Sequence, residues 1–274
     1  MIVTFWGVRG SVPSPGRLTC RYGGNTSCVS VEAGDRVLVL DAGTGIVPLG
    51  ETLAASGKEV FILLSHLHAD HLMGFPFFAP LYCAAERLHL LSYEKDGRPW
   101  SLMNLLDGCH FPVEASDLTV QPHCVEADPL GFLRTCGFEV RRHAVNHPGG
   151  AFGYRVSHGG RTLVFVPDNE LDPPGAATVG FAELAAFCRD ADVLVHDAQY
   201  LPSDLPMKWG WGHSTLGRAC ALAAEAQVRH FVPFHHDPCR SDAALDAMQA
   251  EARDVLTPKG IACTFAYEGL RLEL

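Results

Sequence analysis

The densest chemistry in the chain lies at positions 65–71, Ser65-His66-Leu67-His68-Ala69-Asp70-His71. Three imidazoles and a carboxylate fall within six residues. Neutral imidazole nitrogens beside a carboxylate oxygen suit zinc or a similar divalent ion. The segment follows the apolar run 60–64, Val-Phe-Ile-Leu-Leu, which reads as a buried strand. At an extended strand end, residues i and i+2 point the same way. His66, His68 and Asp70 are therefore expected to converge on one side. His71 lies where the chain turns into the next element and reaches the same place from another angle.

Three more candidates share one kind of position. His147, in Asn146-His147-Pro148-Gly149-Gly150, ends a strand at 138–145. Asp168, in Val166-Pro167-Asp168-Asn169, ends a strand at 162–166, and His235, in Phe234-His235-His236-Asp237-Pro238, ends one at 230–234. Each alone reads as a turn or cap residue. Together they sit at the carboxyl ends of strands, where a rigid scaffold gathers its loops. Seven such side chains are enough for two divalent ions. One ion would take His66, His68 and His147, and the other Asp70, His71 and His235. Asp168 would bridge them, because a carboxylate has two oxygens. The histidine-rich donor set favours zinc, with manganese or iron as alternatives.

Elements must carry these residues to one place. Strand-like runs occur at 2–8, 27–32, 36–40, 60–64, 138–145, 152–157, 162–166, 193–196, 231–234 and 262–266. Thr44 can cap a helix with Ile46, Leu49 and Leu53 on one face, ended by Gly57. Ser214 or Thr215 can cap another through Leu216, Cys220 and Ala223 to 227. Ser241 can cap a third with Leu245, Met248, Ala252 and Val255 at helical spacing. The early hairpins imply antiparallel pairing, and the late helices need sheet faces to cover. The expected fold is α/β, two packed sheets with helices outside, as a single domain over 1–274. Segment 92–137 is the least regular. It carries the apolar residues Pro99, Trp100, Met103, Leu105, Phe111 and Pro112, and is expected to border the substrate cleft or to form a subunit contact in a homodimer.

The order H-x-H-x-D-H, then a distant His, a distant Asp and a last His, resembles the metallo-β-lactamase superfamily over essentially the whole chain. Phe5-Trp6-Gly7-Val8-Arg9-Gly10-Ser11 with Tyr22-Gly23-Gly24-Asn25-Thr26-Ser27 is similar to the opening of its phosphodiesterase-type members. Asp41-Ala42-Gly43-Thr44-Gly45 resembles their second signature. These members are similar to ribonuclease Z, to bacterial cyclic-nucleotide phosphodiesterases and to the cyclic-phosphate phosphodiesterase of phosphonate breakdown. The resemblance implies an αββα sandwich of two mixed sheets with a dinuclear site at one edge. His196-Asp197-Ala198-Gln199 resembles the H-E-A-T segment of ribonuclease Z, with Asp for Glu, and Trp211-Gly212-His213-Ser214-Thr215 resembles its G-H-S-T segment. That match implies a carboxylate–imidazole pair, Asp197 with His213, serving the phosphate and the leaving group. Alignment of the last motif places the ligand at His235, with His236 as its neighbour. The opening motif implies that Arg9, Asn25 and Thr26 buttress the metal floor or touch phosphate.

The expected chemistry is attack on phosphorus by a hydroxide bridging two cations, whose charge lowers the pKa of water to about 7. Asp70 would orient it, and His213, held by Asp197, would be the leaving-group acid. The substrate would be a small, anionic cyclic or linear nucleotide-type phosphodiester. A thioesterase or lactonase of the same fold is the first alternative, and a non-enzymatic binding or assembly relative the second. Lys plus Arg number 21 against 31 Asp plus Glu, a net charge of −10. That disfavours an extended nucleic-acid surface and full transfer-RNA processing. No run approaches the roughly 18 apolar residues of a membrane span. The ten cysteines include no C-x-x-C pair, which reads as thiols in a reducing cytoplasm.

Overall fold

Short β-branched and aromatic runs form the strands of the computed structural model, which describes residues 1–95 and 97–274. In chain order they are β1 (Ile2–Gly7), β2 (Cys28–Ala33), β3 (Arg36–Leu40), β4 (Glu59–Leu63), β5 (Leu88–Leu91), β6 (Tyr93–Lys95), β7 (Arg98–Trp100) and β8 (His123–Val125). The second half adds β9 (Glu139–Val145), β10 (Ala151–His158), β11 (Arg161–Val166), β12 (Val193–Asp197), β13 (His230–Phe234), β14 (Ala262–Cys263) and β15 (Arg271–Glu273). They assemble into a seven-stranded sheet, β15-β1-β2-β3-β4-β5-β8, and a six-stranded sheet, β14-β13-β12-β11-β10-β9. β6 and β7 pair separately as a hairpin. Both sheets are mixed: β1 to β3 and β9 to β11 pair antiparallel, whereas β3-β4-β5-β8 and β11-β12-β13-β14 pair parallel.

The helices are α1 (Ile46–Leu53), α2 (Pro80–Cys83), α3 (Pro129–Thr135), α4 (Phe181–Cys188), α5 (Leu205–Lys208), α6 (Leu216–Glu225) and α7 (Asp242–Leu256). β4 shows why the stack has four layers. Phe61 and Leu63 enter the core between the sheets with Val156, Leu163 and Phe165. Val60 and Ile62 face the other way, onto Ile46 and Leu49 of α1. A strand buried on both faces reads as a continuous apolar run. Against the six-stranded sheet, α4, α6 and α7 bury Leu184, Leu222, Leu245 and Leu256 on Val164, Leu194 and Phe231. The result is the expected αββα sandwich.

Several boundaries differ from expectation. β14 stops at Cys263, although Thr264 and Ala266 still donate to β13 carbonyls at 3.2 and 3.0 Å. On α7, Leu256 is the residue that turns inward and Val255 is 47% exposed; both positions extend the stripe from Ala252, and the last turn selects the i+4 one. Segment 92–137 is more regular than expected, supplying β6, β7, α3 and the edge strand β8. Its Trp100, Met103, Leu105 and Phe111 pack against the outer core of the seven-stranded sheet. The Tyr93 hydroxyl reaches across to the Gly150 carbonyl at 3.4 Å, in the loop that follows His147.

Candidate metal centre

Seven side chains meet where the carboxyl ends of β4, β9, β11 and β13 lie together. The chain leaves β4 extended through His68, then closes a single 3₁₀ turn over Ala69–His71. Strict alternation therefore ends at His68. Asp70 reaches the site from that turn, on the side of His71, not in line with His66 and His68. His66, His68, His147 and Asp168 form one group of donors, and Asp70, His71 and His235 a second. Asp168 lies between them. Its Oδ2 is 3.7 Å from Nε2 of both His66 and His147. Its Oδ1 is 3.2 Å from His71 Nε2 and 3.3 Å from His235 Nε2.

Each ring is oriented by the nitrogen that faces away. His71 Nδ1 donates to Asp41 Oδ2 at 2.8 Å, and His66 Nδ1 to the Ser65 hydroxyl at 3.0 Å. That hydroxyl in turn donates to Asp41 Oδ2 at 2.9 Å. His147 Nδ1 donates to the Gly212 carbonyl at 2.9 Å, and His235 Nδ1 to Gln199 Oε1 at 3.1 Å. Such partners fix the tautomer that leaves Nε2 with its lone pair toward the site. Two positions must be glycine for these rings to fit: a Cβ on Gly10 would lie 2.4 Å from the His235 ring, and one on Gly212 2.2 Å from His147 Nδ1.

The donor set fits divalent cations. His66 Nε2, His71 Nε2 and Asp168 Oδ1 are buried with no hydrogen-bond partner. His68 Nδ1 and His147 Nε2 face each other at 3.0 Å. Burial pushes the pKa of His66, His68 and His147 down, so they present neutral nitrogens. Burial opposes the charge of Asp168 and Asp70, but the surrounding histidines outweigh it and hold both well below the usual carboxylate range. His71, opposed by burial but facing Asp168, Asp70 and Asp41, is pushed up instead. A proton there occupies the place a cation would take.

His213 stacks on His235 with ring centroids 5.0 Å apart, and its Nδ1 is 4.0 Å from Asp168 Oδ2. The same Nδ1 donates to Asp197 Oδ2 at 2.7 Å. Burial disfavours its charge, but Asp197 outweighs burial and the pKa is raised. Asp197 is itself fixed by the amides of Gln199 at 2.9 Å and Asn169 at 3.2 Å. The shorter Asp thus reaches the imidazole directly.

Arg9, Asn25, Thr26, His236 and His196 lie outside the seven. Arg9 is fully buried, and its guanidinium donates to the carbonyls of Gly23, Asp237 and Arg240 at 2.7, 3.1 and 2.8 Å. It ties the loops of Gly23, Asp237 and Arg240 together. Asn25 is held by Glu268 through its amide at 2.7 Å and its side chain at 3.1 Å. Thr26 and Thr44 exchange amide-to-hydroxyl hydrogen bonds at 2.9 Å in both directions. His236 turns away from the seven. Its Nε2 donates to the Ala266 carbonyl at 2.8 Å and its ring stacks on Phe265, while the preceding His235 adopts φ 58°. His196 is packed inside, its Nδ1 on the Asp197 carbonyl. Sequence reasoning missed Asp41 and Gln199 as orienting partners; their signal was a place inside the motifs Asp41-Ala42-Gly43-Thr44-Gly45 and His196-Asp197-Ala198-Gln199.

Comparison with known proteins gives the chain a family and a fold. Residues 36–236 match the family model described as a beta-lactamase superfamily domain. The chain is 30% identical over 308 aligned residues to a ribonuclease Z of Bradyrhizobium sp. (strain ORS 278), covering 95% of this chain and 97% of the relative. The fold is similar to that of a metallo-beta-lactamase fold protein of Bacillus subtilis, with TM-score 0.70 and 18% identity over 100% of this chain and 99% of the other. A diphosphatase of the PhnP family aligns with TM-score 0.65 and 17% identity over 100% and 97% of the two chains.

Proposed function

Because the chain belongs to the beta-lactamase superfamily and has the metallo-β-lactamase fold, we propose that it is a metal-dependent phosphodiesterase acting on a small cyclic or linear nucleotide-type diester. The observation that carries this reading is Asp168, one oxygen toward each trio of donors, with His213 beside it. His66, His68 and His147 would hold one divalent cation and Asp70, His71 and His235 the other, zinc being favoured by the nitrogen-rich set. Bound there, such a pair supplies Lewis acidity toward phosphoryl oxygens and lowers the pKa of water.

The chain's own groups do the rest. Asp70 Oδ2 is fixed by the Ser11 amide at 2.7 Å and orients the attacking water. Asp197 accepts from His213 Nδ1, so Nε2 is the atom that gives its proton to the departing oxygen. The ester P–O bond breaks, the oxygen of water takes its place, and His213 is reprotonated from the consumed water. Two features favour a small diester over a folded RNA: the net charge of −10 and the burial of Arg9, which leaves the opening motif without a cation for a phosphate backbone. We also place the protein in a reducing cytoplasm, which suits ten cysteines that are all free thiols.

The test is one panel. Metal-replete protein is incubated with bis(p-nitrophenyl) phosphate, cyclic nucleotides, a precursor transfer RNA, a thioester and a lactam. Turnover of the small diesters, abolished by Asp168→Ala, is expected. Turnover confined to the thioester or lactam would overturn the reaction class, and preference for the RNA would overturn the substrate class.

A further inference from the structure

Next to His213 lies a pocket of about 250 Å³ with Leu171, Pro202, Leu205, Trp209, Glu170 and Arg218 in its wall. Its charged groups are already paired. The Glu170 carboxylate accepts from the amides of Gly210 at 2.8 Å and Gly212 at 3.0 Å. Asp172 takes the Arg218 guanidinium at two points, 2.6 and 2.8 Å. Apart from His213, Ser214 and Thr215 the remaining wall is apolar, and the Ser214 hydroxyl is already bonded to the Asn169 carbonyl at 2.6 Å. Leu205 and Pro202 form one side, and the Trp209 ring, 59% exposed, forms another. That ring is held in place, because its indole N–H donates to the Asp172 carbonyl at 2.8 Å. The Glu170 clamp likewise fixes the loop that leads into Gly212 and His213.

We propose that this pocket receives the leaving alcohol of the substrate, and that the alcohol carries one flat, uncharged ring system such as a nucleobase. The inference rests on the phosphodiesterase reading and adds to it which half of the diester is recognised. His213 joins the two places: it stands beside Asp168 and also lines the pocket. A group that protonates the departing oxygen must have the departing alcohol next to it. The pocket has no unpaired charge to neutralise a second phosphate. Its volume lies below the roughly 300–1,000 Å³ of drug-sized sites, which fits one ring system and not a helical nucleic acid.

Two substrates isolate the pocket. A dinucleoside monophosphate and the methyl ester of the same nucleoside 3′-phosphate share the retained half and differ only in the leaving alcohol. Trp209→Ala is expected to raise KM for the dinucleoside roughly 5- to 150-fold, the range of one base–aromatic stack, and to leave the methyl ester unchanged. Leu205→Trp, which fills the pocket, should discriminate in the same direction. Adenosine alone, without metal, should quench tryptophan fluorescence saturably in the wild type and not in Trp209→Ala. Equal effects on both substrates, or no effect on either and no quenching, would overturn the pocket assignment. Failure of the wild type to cleave any diester would instead overturn the phosphodiesterase reading, and the adenosine titration would still report on the pocket.

Discussion

In the proposed reaction, the hydrogen bond from His213 to Asp197 fixes where a proton would be delivered, and its value depends on the leaving group. p-Nitrophenolate departs without help, whereas a ribose alkoxide does not. Removing an acid typically costs about 10²–10⁴-fold. His213→Ala should lose that much in kcat/KM on a nucleotide diester and far less on bis(p-nitrophenyl) phosphate, with Asp197→Asn moving the same way by a smaller factor. Equal losses on both substrates would remove His213 from the proton transfer. His236 makes a prediction of another kind. Burial, with the Arg9 charge adding to it, pushes its pKa down to about 3, against about 6.5 in an unfolded chain. Between those values the unfolded chain binds a proton that the native state does not. Stability from this residue is therefore complete above about pH 6.5 and falls with pH below it, by about 1.4 kcal/mol per pH unit. His236→Gln keeps a donor for Ala266 and cannot titrate there. Denaturant melts from pH 7.5 to 4 should show the wild type losing ground to the variant only below pH 6.5, and parallel curves would refute the assignment.

The loop after β12 does its positioning through backbone geometry. Gly212 has φ 90° and its carbonyl holds His147. Gly212→Ala would drive a methyl into that ring, so it should lower cation affinity in a chelator competition and cut kcat/KM by at least about 10-fold, in line with roughly 1–3 kcal/mol of local strain. Gly217, inside α6 with open space at its Cβ, supplies the control: Gly217→Ala should raise stability by about 0.5–1 kcal/mol and leave activity alone. The same contrast explains what the sequence could say. The convergence of the seven donors was legible because strand-end histidines and aspartates follow obvious apolar runs such as 60–64. The 3₁₀ turn under Asp70 was not, since no capping residue marks it. Nor were β5, β8 and β15, three or four residues long, whose places depend on a neighbouring strand more than on their own pattern. Asp41 stood in a recognisable motif, but its orienting role was hidden until its distance to His71 was known.

Across the whole molecule the centre draws on both halves of the sandwich. His66, His68, Asp70 and His71 follow β4 in the seven-stranded sheet, whereas His147, Asp168 and His235 follow β9, β11 and β13 in the six-stranded one. A cation bound to both must stabilise their association. At a free concentration 100 times Kd the gain is about 2.7 kcal/mol, which for a chain of this size corresponds to roughly 5–10 °C in Tm. Zinc or manganese should raise Tm by that order, a chelator should reverse it, and Asp168→Asn should abolish most of it. Elemental analysis should approach two equivalents, and a firm ceiling of one would sink the dinuclear reading. The donors lie at strand ends, but Pro202, Leu205 and Trp209 of the wall beyond His213 belong to a separate excursion, 201–212, tied down by Glu170, Asp172 and Asp237 among others. If the pocket receives the leaving alcohol as proposed, reactivity and selectivity are written in different stretches of chain. On the proposed reading, exchanging residues 202–209 while Gly212 keeps its hold on His147 would retarget the catalyst with its hydrolytic machinery intact, so a single scaffold could diversify its clientele without reinventing its chemistry.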